Sequence, residues 1–241
     1  MKKYKKQYEL KNAAKDKLDG KYGSAVSICL LASLLTGCIS LLVDVFIPET
    51  KSVVLFYVTQ GMISLILSWL LGIFDLGVAY FFLKAACGKQ YSTRDLFYCF
   101  QNDTTKTLII SGARALVSTV CILPAQYLLE VYWYLRSPSL LAAAGISAVI
   151  GLGVYLYAGL GVTLSFYLQL DFPDQPARYV LRQSFQLMQG HRKRFFLLQL
   201  SFLPLMLLGV CSLFIGFLWL TPYMNMTYTC FFLDLMNPRE A

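Results

Sequence analysis

A chain of 241 residues that is 57% hydrophobic and only 14% charged cannot wrap a water-soluble core in polar surface, because soluble domains carry roughly 25% charged residues. Its mean hydropathy of +0.58, gathered into long apolar blocks, makes lipid the solvent. The net charge of +8 would suit nucleic acid, but the bases sit in short runs beside apolar blocks, with no zinc-ligand pattern and no aromatic platform. Nucleic acid is therefore not an expected partner. Anionic headgroups are, at roughly 1 kcal/mol per basic residue near the surface.

Residues 1–21 hold eight of the 21 bases. Within them Tyr4/Tyr8 and Leu10/Ala14/Leu18 recur at four-residue spacing, which predicts a basic amphipathic helix lying on the membrane surface. A helix crossing about 30 Å of hydrocarbon needs roughly 20 apolar residues. The first such span is 22–47, ended by Pro48 and Glu49. It is too long for the apolar region of a signal peptide, about 7–15 residues. The chain also stays apolar after Cys38, unlike a lipoprotein, so this span is expected to be retained.

The second span, 53–83, is interrupted only by Asp75. Ser92-Thr93-Arg94-Asp95 then predicts a capped short helix through Phe100. The third span, 107–129, contains Arg114. The fourth, 140–170, carries Gly145, Gly151, Gly153, Gly159 and Gly161, a composition suited to close helix packing. Pro176 opens a predicted helix that ends at Gly190, before the run His191-Arg192-Lys193-Arg194. Residues 195–236 are almost free of charge and too long for one crossing, so they divide into 195–213 and 217–236 around a tight turn near Phe214–Gly216. The expectation is an all-α, polytopic transmembrane helical bundle of about six spans, a single integral membrane domain over 1–241 with short amphipathic interfacial helices.

Orientation follows from the bases. With the N-terminus inside, the inner segments 1–21, 84–106, 171–194 and 237–241 hold 18 of the 21 Lys and Arg residues, and the outer connections 48–52 and 130–139 hold two, Lys51 and Arg136. This bias predicts a multi-pass protein of a plasma membrane with both termini cytoplasmic.

The seven cysteines (29, 38, 87, 99, 121, 211, 230) form no C-x-x-C pair and read as small hydrophobes. A single histidine makes a His-based metal centre implausible. No metal or cofactor is expected.

Charges inside a span cost at least ~2.5–3.5 kcal/mol near its centre and usually face the interior or a partner. Asp75 lies eight residues from Leu83 and Arg114 seven from Thr107, so both sit roughly 10–12 Å into the membrane from the same side. They predict an intramembrane ion pair that fixes helix register, with a substrate or proton site as the alternative. Asp44, Asp171 and Asp234 lie near span ends and read as solvated boundary residues. His191, Arg192, Lys193 and Arg194 read as an anchor at the headgroups, a candidate contact for anionic lipid.

Several stretches resemble the bacterial domain-of-unknown-function family 975. They are Asp171-Phe172-Pro173, Ser184-Phe185-Gln186-Leu187-Met188-Gln189-Gly190-His191-Arg192-Lys193, Gly216-Phe217-Leu218-Trp219-Leu220-Thr221-Pro222-Tyr223 and Phe231-Phe232-Leu233-Asp234-Leu235. Leu10–Lys15 and Asp95-Leu96-Phe97 agree more weakly. The resemblance implies a six-span membrane protein and brings no activity with it. That family usually has a compact Ile-Pro-Gly-like turn between its third and fourth spans, where this chain has a longer Glu130–Ser139 region.

No Ser-His-Asp set, carboxylate pair, Walker loop or dinucleotide fingerprint is present, so the chain is not expected to be an enzyme. A membrane scaffold or accessory protein, acting with a membrane-protein partner or a second copy of itself, is the first expectation. The alternative is a small transporter, exporter or lipid-handling protein using Asp75 and Arg114, with Gln60 and Gln126 as further polar candidates. A cleft reaching Asp75 and Arg114 would favour the alternative, and a packed interior the scaffold.

Overall fold

The computed structural model describes residues 4–45, 53–102 and 104–237, the side chains of 44, 53–58 and 134 excepted. Ile47–Glu49, Lys51, Arg239 and the side chain of Asp44 lie outside the described residues. All regular structure among the described residues is helical. Five stretches are long and apolar enough to cross a membrane: Tyr22–Val43, Thr59–Ala86, Thr104–Trp133, Pro138–Asp171 and Arg192–Cys211. Large apolar side chains such as Leu41, Leu42, Val149, Ile150, Leu207 and Leu208 stand exposed on them, a surface that water would not tolerate and lipid does.

Helix α1, Gln7–Leu18, forms as its spacing predicts, but its stripe meets protein. Leu10, Ala14 and Leu18 are fully buried, and α1 runs along the last helix, with Lys5 at Asp234 and Lys15 over Tyr223. The spacing that suits a lipid surface suits a neighbouring helix equally, and here the neighbour takes it. After a turn at Gly20, whose φ is +69°, α2 covers Tyr22–Val45 and α3 Val53–Ala86. Lys17 and Lys21 donate to the carbonyls of Ala86 and Ala85 at 2.8 and 3.1 Å, cations placed where the end of α3 is negative.

Ser92 caps the connection as expected. It starts a 3-10 turn over Thr93–Phe97 that continues as α4, Tyr98–Gln101, and Asp95 pairs with Lys84 at 2.9 Å.

Helix α5 spans Thr104–Leu135 and packs against α3 through small residues. A Cβ on Gly72 would lie 2.5 Å from the Ser111 Cβ, and the Trp69 indole donates to the Leu108 carbonyl at 2.6 Å. The longer outer connection expected over 130–139 is absorbed into helix: α5 continues to Leu135, and α6, Pro138–Val154, begins after two residues. Arg136 makes that turn at φ +50° with its guanidinium 4.7 Å from the Trp133 ring centroid.

The fourth crossing is segmented. After α6 comes a π-helical turn, Tyr155–Gly159, then α7, Leu160–Val162, and α8, Ser165–Asp171. Helix α9, Ala177–Leu187, follows the Pro176 start and ends before Gly190, where φ is +79°. The fifth crossing breaks at Ser201–Phe202 into α10, Arg192–Leu200, and α11, Leu203–Cys211, with Pro204 in the first turn of the second piece.

Helix α12, Phe217–Met236, is as long as a crossing yet is not among the five apolar stretches, because Thr221, Asn225, Thr227, Thr229 and Asp234 dilute it. Its position explains the composition. It packs on α1, α2, α3 and α11 and is buried repeatedly from Leu220 to Leu235. A helix lined by protein can carry polar groups that a lipid-facing one cannot.

Candidate functional site

The charged and hydroxyl-bearing faces of α2, α3, α5 and α12 converge on one cavity of about 530 Å³. Each wall is a stripe at helical spacing. Cys29, Ser33 and Thr36 come from α2, Ser68 and Asp75 from α3, and Ser111, Arg114 and Ser118 from α5; α12 adds Thr221 and Asn225. The π-helical turn supplies Tyr155 and Gly159. Such single-turn widenings let a helix re-aim its side chains, and they recur at functional sites.

Asp75 and Arg114 both face this cavity. Asp75 lies about 16 Å inward from the Ala86 end of α3 at 1.5 Å per residue. Its side chain is open to the cavity, while Arg114 is half-buried. Each lies within electrostatic reach of the other. Among the described residues the ion pairs closer than 4 Å are Lys84–Asp95 and Arg194–Asp234, so no direct contact of that length joins Asp75 to Arg114. Arg114 instead lies over the Phe166 ring, 4.3 Å from its centroid. The structure thus brings the two expected charges to one site without closing them into a contact pair. Gln60 and Gln126, the other polar candidates, are not part of the lining.

The hydroxyl groups have a consistent polarity. Thr36 donates to Ala32, Ser68 to Leu65, Ser118 to Ala115 and Thr163 to Gly159, each a carbonyl of its own helix at 2.9–3.0 Å. Ser111 donates across to Trp69 O at 2.9 Å. With their protons committed to backbone, these oxygens offer lone pairs to the cavity. The hydroxyl-bearing part of the wall therefore accepts hydrogen bonds, and Arg114 is the charged donor beside it.

The inner end holds a second cluster. Asp234, expected to be a solvated boundary residue, has a side chain only 1% exposed. Its two oxygens accept from the Lys5 amide at 3.2 and 3.3 Å and from Arg194 Nη2 at 2.5 Å. The same Nη2 donates to the Lys5 carbonyl. The basic run is therefore divided. Arg194 is held by Asp234, the Arg192 guanidinium lies over Tyr157 at 4.5 Å, His191 meets Tyr4 edge to face at 4.5 Å, and Lys193 is exposed. Burial and then the neighbouring Arg194 hold the His191 imidazole below its ordinary value. As a surface for anionic headgroups, the run is narrower than its sequence implies.

Sequence reading missed the cavity walls other than Asp75 and Arg114. The signal was present in the recurrence of Cys29/Ser33/Thr36, Ser68/Gly72/Asp75 and Ser111/Arg114/Ser118 on single helix faces. Each stripe is too weakly polar to stand out from an apolar span.

A helical integral membrane protein with a polar cavity in its core is the class that fold and site define. The chain belongs to the family described as Protein of unknown function (DUF975), which it matches over residues 1–238. No curated protein and no solved structure matches it.

Proposed function

We propose that this chain is a six-crossing protein of a bacterial plasma membrane, with both termini cytoplasmic, that takes a small polar solute into its intramembrane cavity and passes it across the bilayer without covalent chemistry. The cavity carries the reading. A scaffold gains stability by filling its interior to close packing, whereas this bundle keeps about 530 Å³ open around two charged groups, a volume within the roughly 300–1,000 Å³ range of small-molecule sites.

Two observations support the topology. Lys5 bonds Asp234, so the two ends of the described chain share a face, and a chain with its ends on one face crosses an even number of times. The five apolar helices and α12 supply six. The basic segments also gather on that face. Lys17 and Lys21 reach the end of α3, Lys106 donates to the Pro173 carbonyl and Arg194 binds the Lys5 carbonyl, as a positive inner surface requires.

Solute entry demands water at the cavity wall. In a variant with the exposed Cys38, Cys87 and Cys211 and the cavity-lining Cys29 replaced by serine, new cysteines at Ser33 and Ser118 are expected to react with a charged, membrane-impermeant thiol reagent. A cysteine at the exposed Val149 of α6, facing lipid, is expected to stay unreactive. Silence at both cavity positions would return the chain to the scaffold class.

A further inference from the structure

The cavity's charge and hydrogen-bonding pattern narrows the solute. Asp75 and Arg114 cancel in net charge, yet neither is closed into a contact pair by the other. A ligand carrying net charge would bring an uncompensated ion into a low-dielectric interior, which is costly. A neutral apolar ligand would strip water from both side chains and give nothing in return. The molecule that satisfies both carries opposite charges at its two ends.

The two side chains also distinguish which end goes where. The hydroxyl oxygens of Thr36, Ser111 and Ser118 on the same lining present lone pairs, because their protons are bonded to backbone carbonyls. An ammonium group with three N–H donors fits the Asp75 carboxylate in such an acceptor-bearing cavity. Arg114 presents a planar fork of donors suited to a carboxylate or phosphate, and it is steadied from one side by the Phe166 ring, 4.3 Å from centroid to guanidinium. Tyr155 and Tyr228, both half-buried, line the same cavity and offer an apolar or aromatic body something to pack on.

We propose that the cavity binds a small zwitterion, its ammonium at Asp75 and its anionic group at Arg114, with the body of the molecule against Tyr155 and Tyr228. The assignment rests on the reading of the cavity as a solute site. Two sources share the chemistry, a free amino acid and the ethanolamine phosphate headgroup of a lipid.

The test uses the full chain in nanodiscs and follows its thermal unfolding with four probes: phenylalanine, N-acetylphenylalanine (anion only), phenethylamine (cation only) and glycerophosphoethanolamine. Phenylalanine or glycerophosphoethanolamine is expected to raise the melting temperature by about 5–10 °C at about a hundredfold excess over half-saturation, and the two single-charge probes to leave it unchanged. Protection by glycerophosphoethanolamine alone assigns the headgroup as the source, and protection by phenylalanine alone assigns the free amino acid. Asp75→Asn and Arg114→Gln should each abolish the shift. So should the double variant, which leaves no isolated charge in the bundle and so keeps the test valid if a single variant misfolds. Equal protection by a single-charge probe, a shift that survives in the double variant, or no shift with any probe while the Ser33 and Ser118 cysteines react would each overturn the zwitterion and leave the solute site standing. Unreactive cysteines would overturn the parent reading itself.

Discussion

Replacing Asp234 by alanine is expected to destabilise the protein by about 3–5 kcal/mol, the cost of breaking a buried ion pair by removing one partner. Two groups lose their acceptor at once. Arg194, its side chain 20% exposed, keeps its charge in a largely buried place and already has one buried nitrogen, Nη1, without a hydrogen-bond partner. The Lys5 amide loses both carboxylate oxygens, and with them the tie that starts α1 along α12. Two readouts should move together: a lower melting temperature in detergent and faster tryptic cleavage within α1 at Lys11 and Lys15. Asp234→Asn retains an acceptor and should fall between. Adding Arg194→Leu to Asp234→Ala should recover most of the loss, since the stranded charge is then gone. If Asp234→Ala melts with the wild type, the cluster does not hold the N-terminal helix.

Asp234 also shows where sequence reading stops. A carboxylate two residues from the end of a span reads as a boundary residue reaching water, and nothing local says otherwise. Its partner is forty positions away, on α10, and the amide it accepts from is at the other end of the chain. The apolar blocks, by contrast, were legible because span length is set by bilayer thickness, which is a property of the solvent and not of the fold. The turn before α12 was placed by that length alone. The structure puts it at 212–216, with Leu213 and Phe214 at φ +52° and +66°, and no glycine or asparagine marks those positions. Helix α1 was legible as a helix and its buried face was legible as a stripe, but a stripe does not state whether lipid or protein will cover it.

For the cavity, the two charges pointed to two of the helices that line it. Its hydroxyl walls did not stand out, because serine, threonine and cysteine inside a span ordinarily bond their own helix backbone and count as nearly apolar. Here they do bond their own backbone, and it is that habit which turns their lone pairs toward the cavity. The π-helical turn at Tyr155–Gly159 left no mark in the sequence beyond a glycine-rich context shared with residues that do nothing comparable.

The glycines themselves separate sharply, and this gives a second large effect. Gly77 of α3 faces the 3-10 turn after it. A Cβ there would lie 2.1 Å from the Leu96 carbonyl oxygen and 2.6–2.7 Å from its carbonyl carbon and Cα. Gly151 of α6 lies against α5, its Cβ position 2.2 Å from the Cys121 carbonyl oxygen. Backbone cannot swing aside as a side-chain tip can, so alanine at either position must push two segments apart. Overpacking of a tight interior costs about 1–3 kcal/mol and occasionally more, against which alanine returns about 1 kcal/mol of helix propensity. Gly77→Ala, which meets three backbone atoms within 2.7 Å where Gly151 meets one that close, is expected to lose the most. Gly151→Ala should lower the melting temperature less but should loosen α6 from α5. Gly145 and Gly153, on the same helix as Gly151, have nothing within 4 Å of their Cβ positions, so alanine there should be neutral or stabilising, by up to about 1 kcal/mol. Thermal unfolding of the four single variants in one detergent decides it. If Gly77 and Gly151 tolerate alanine as well as Gly145 and Gly153 do, the close approaches of α3 to the inner connection and of α6 to α5 are not what holds those helices in place.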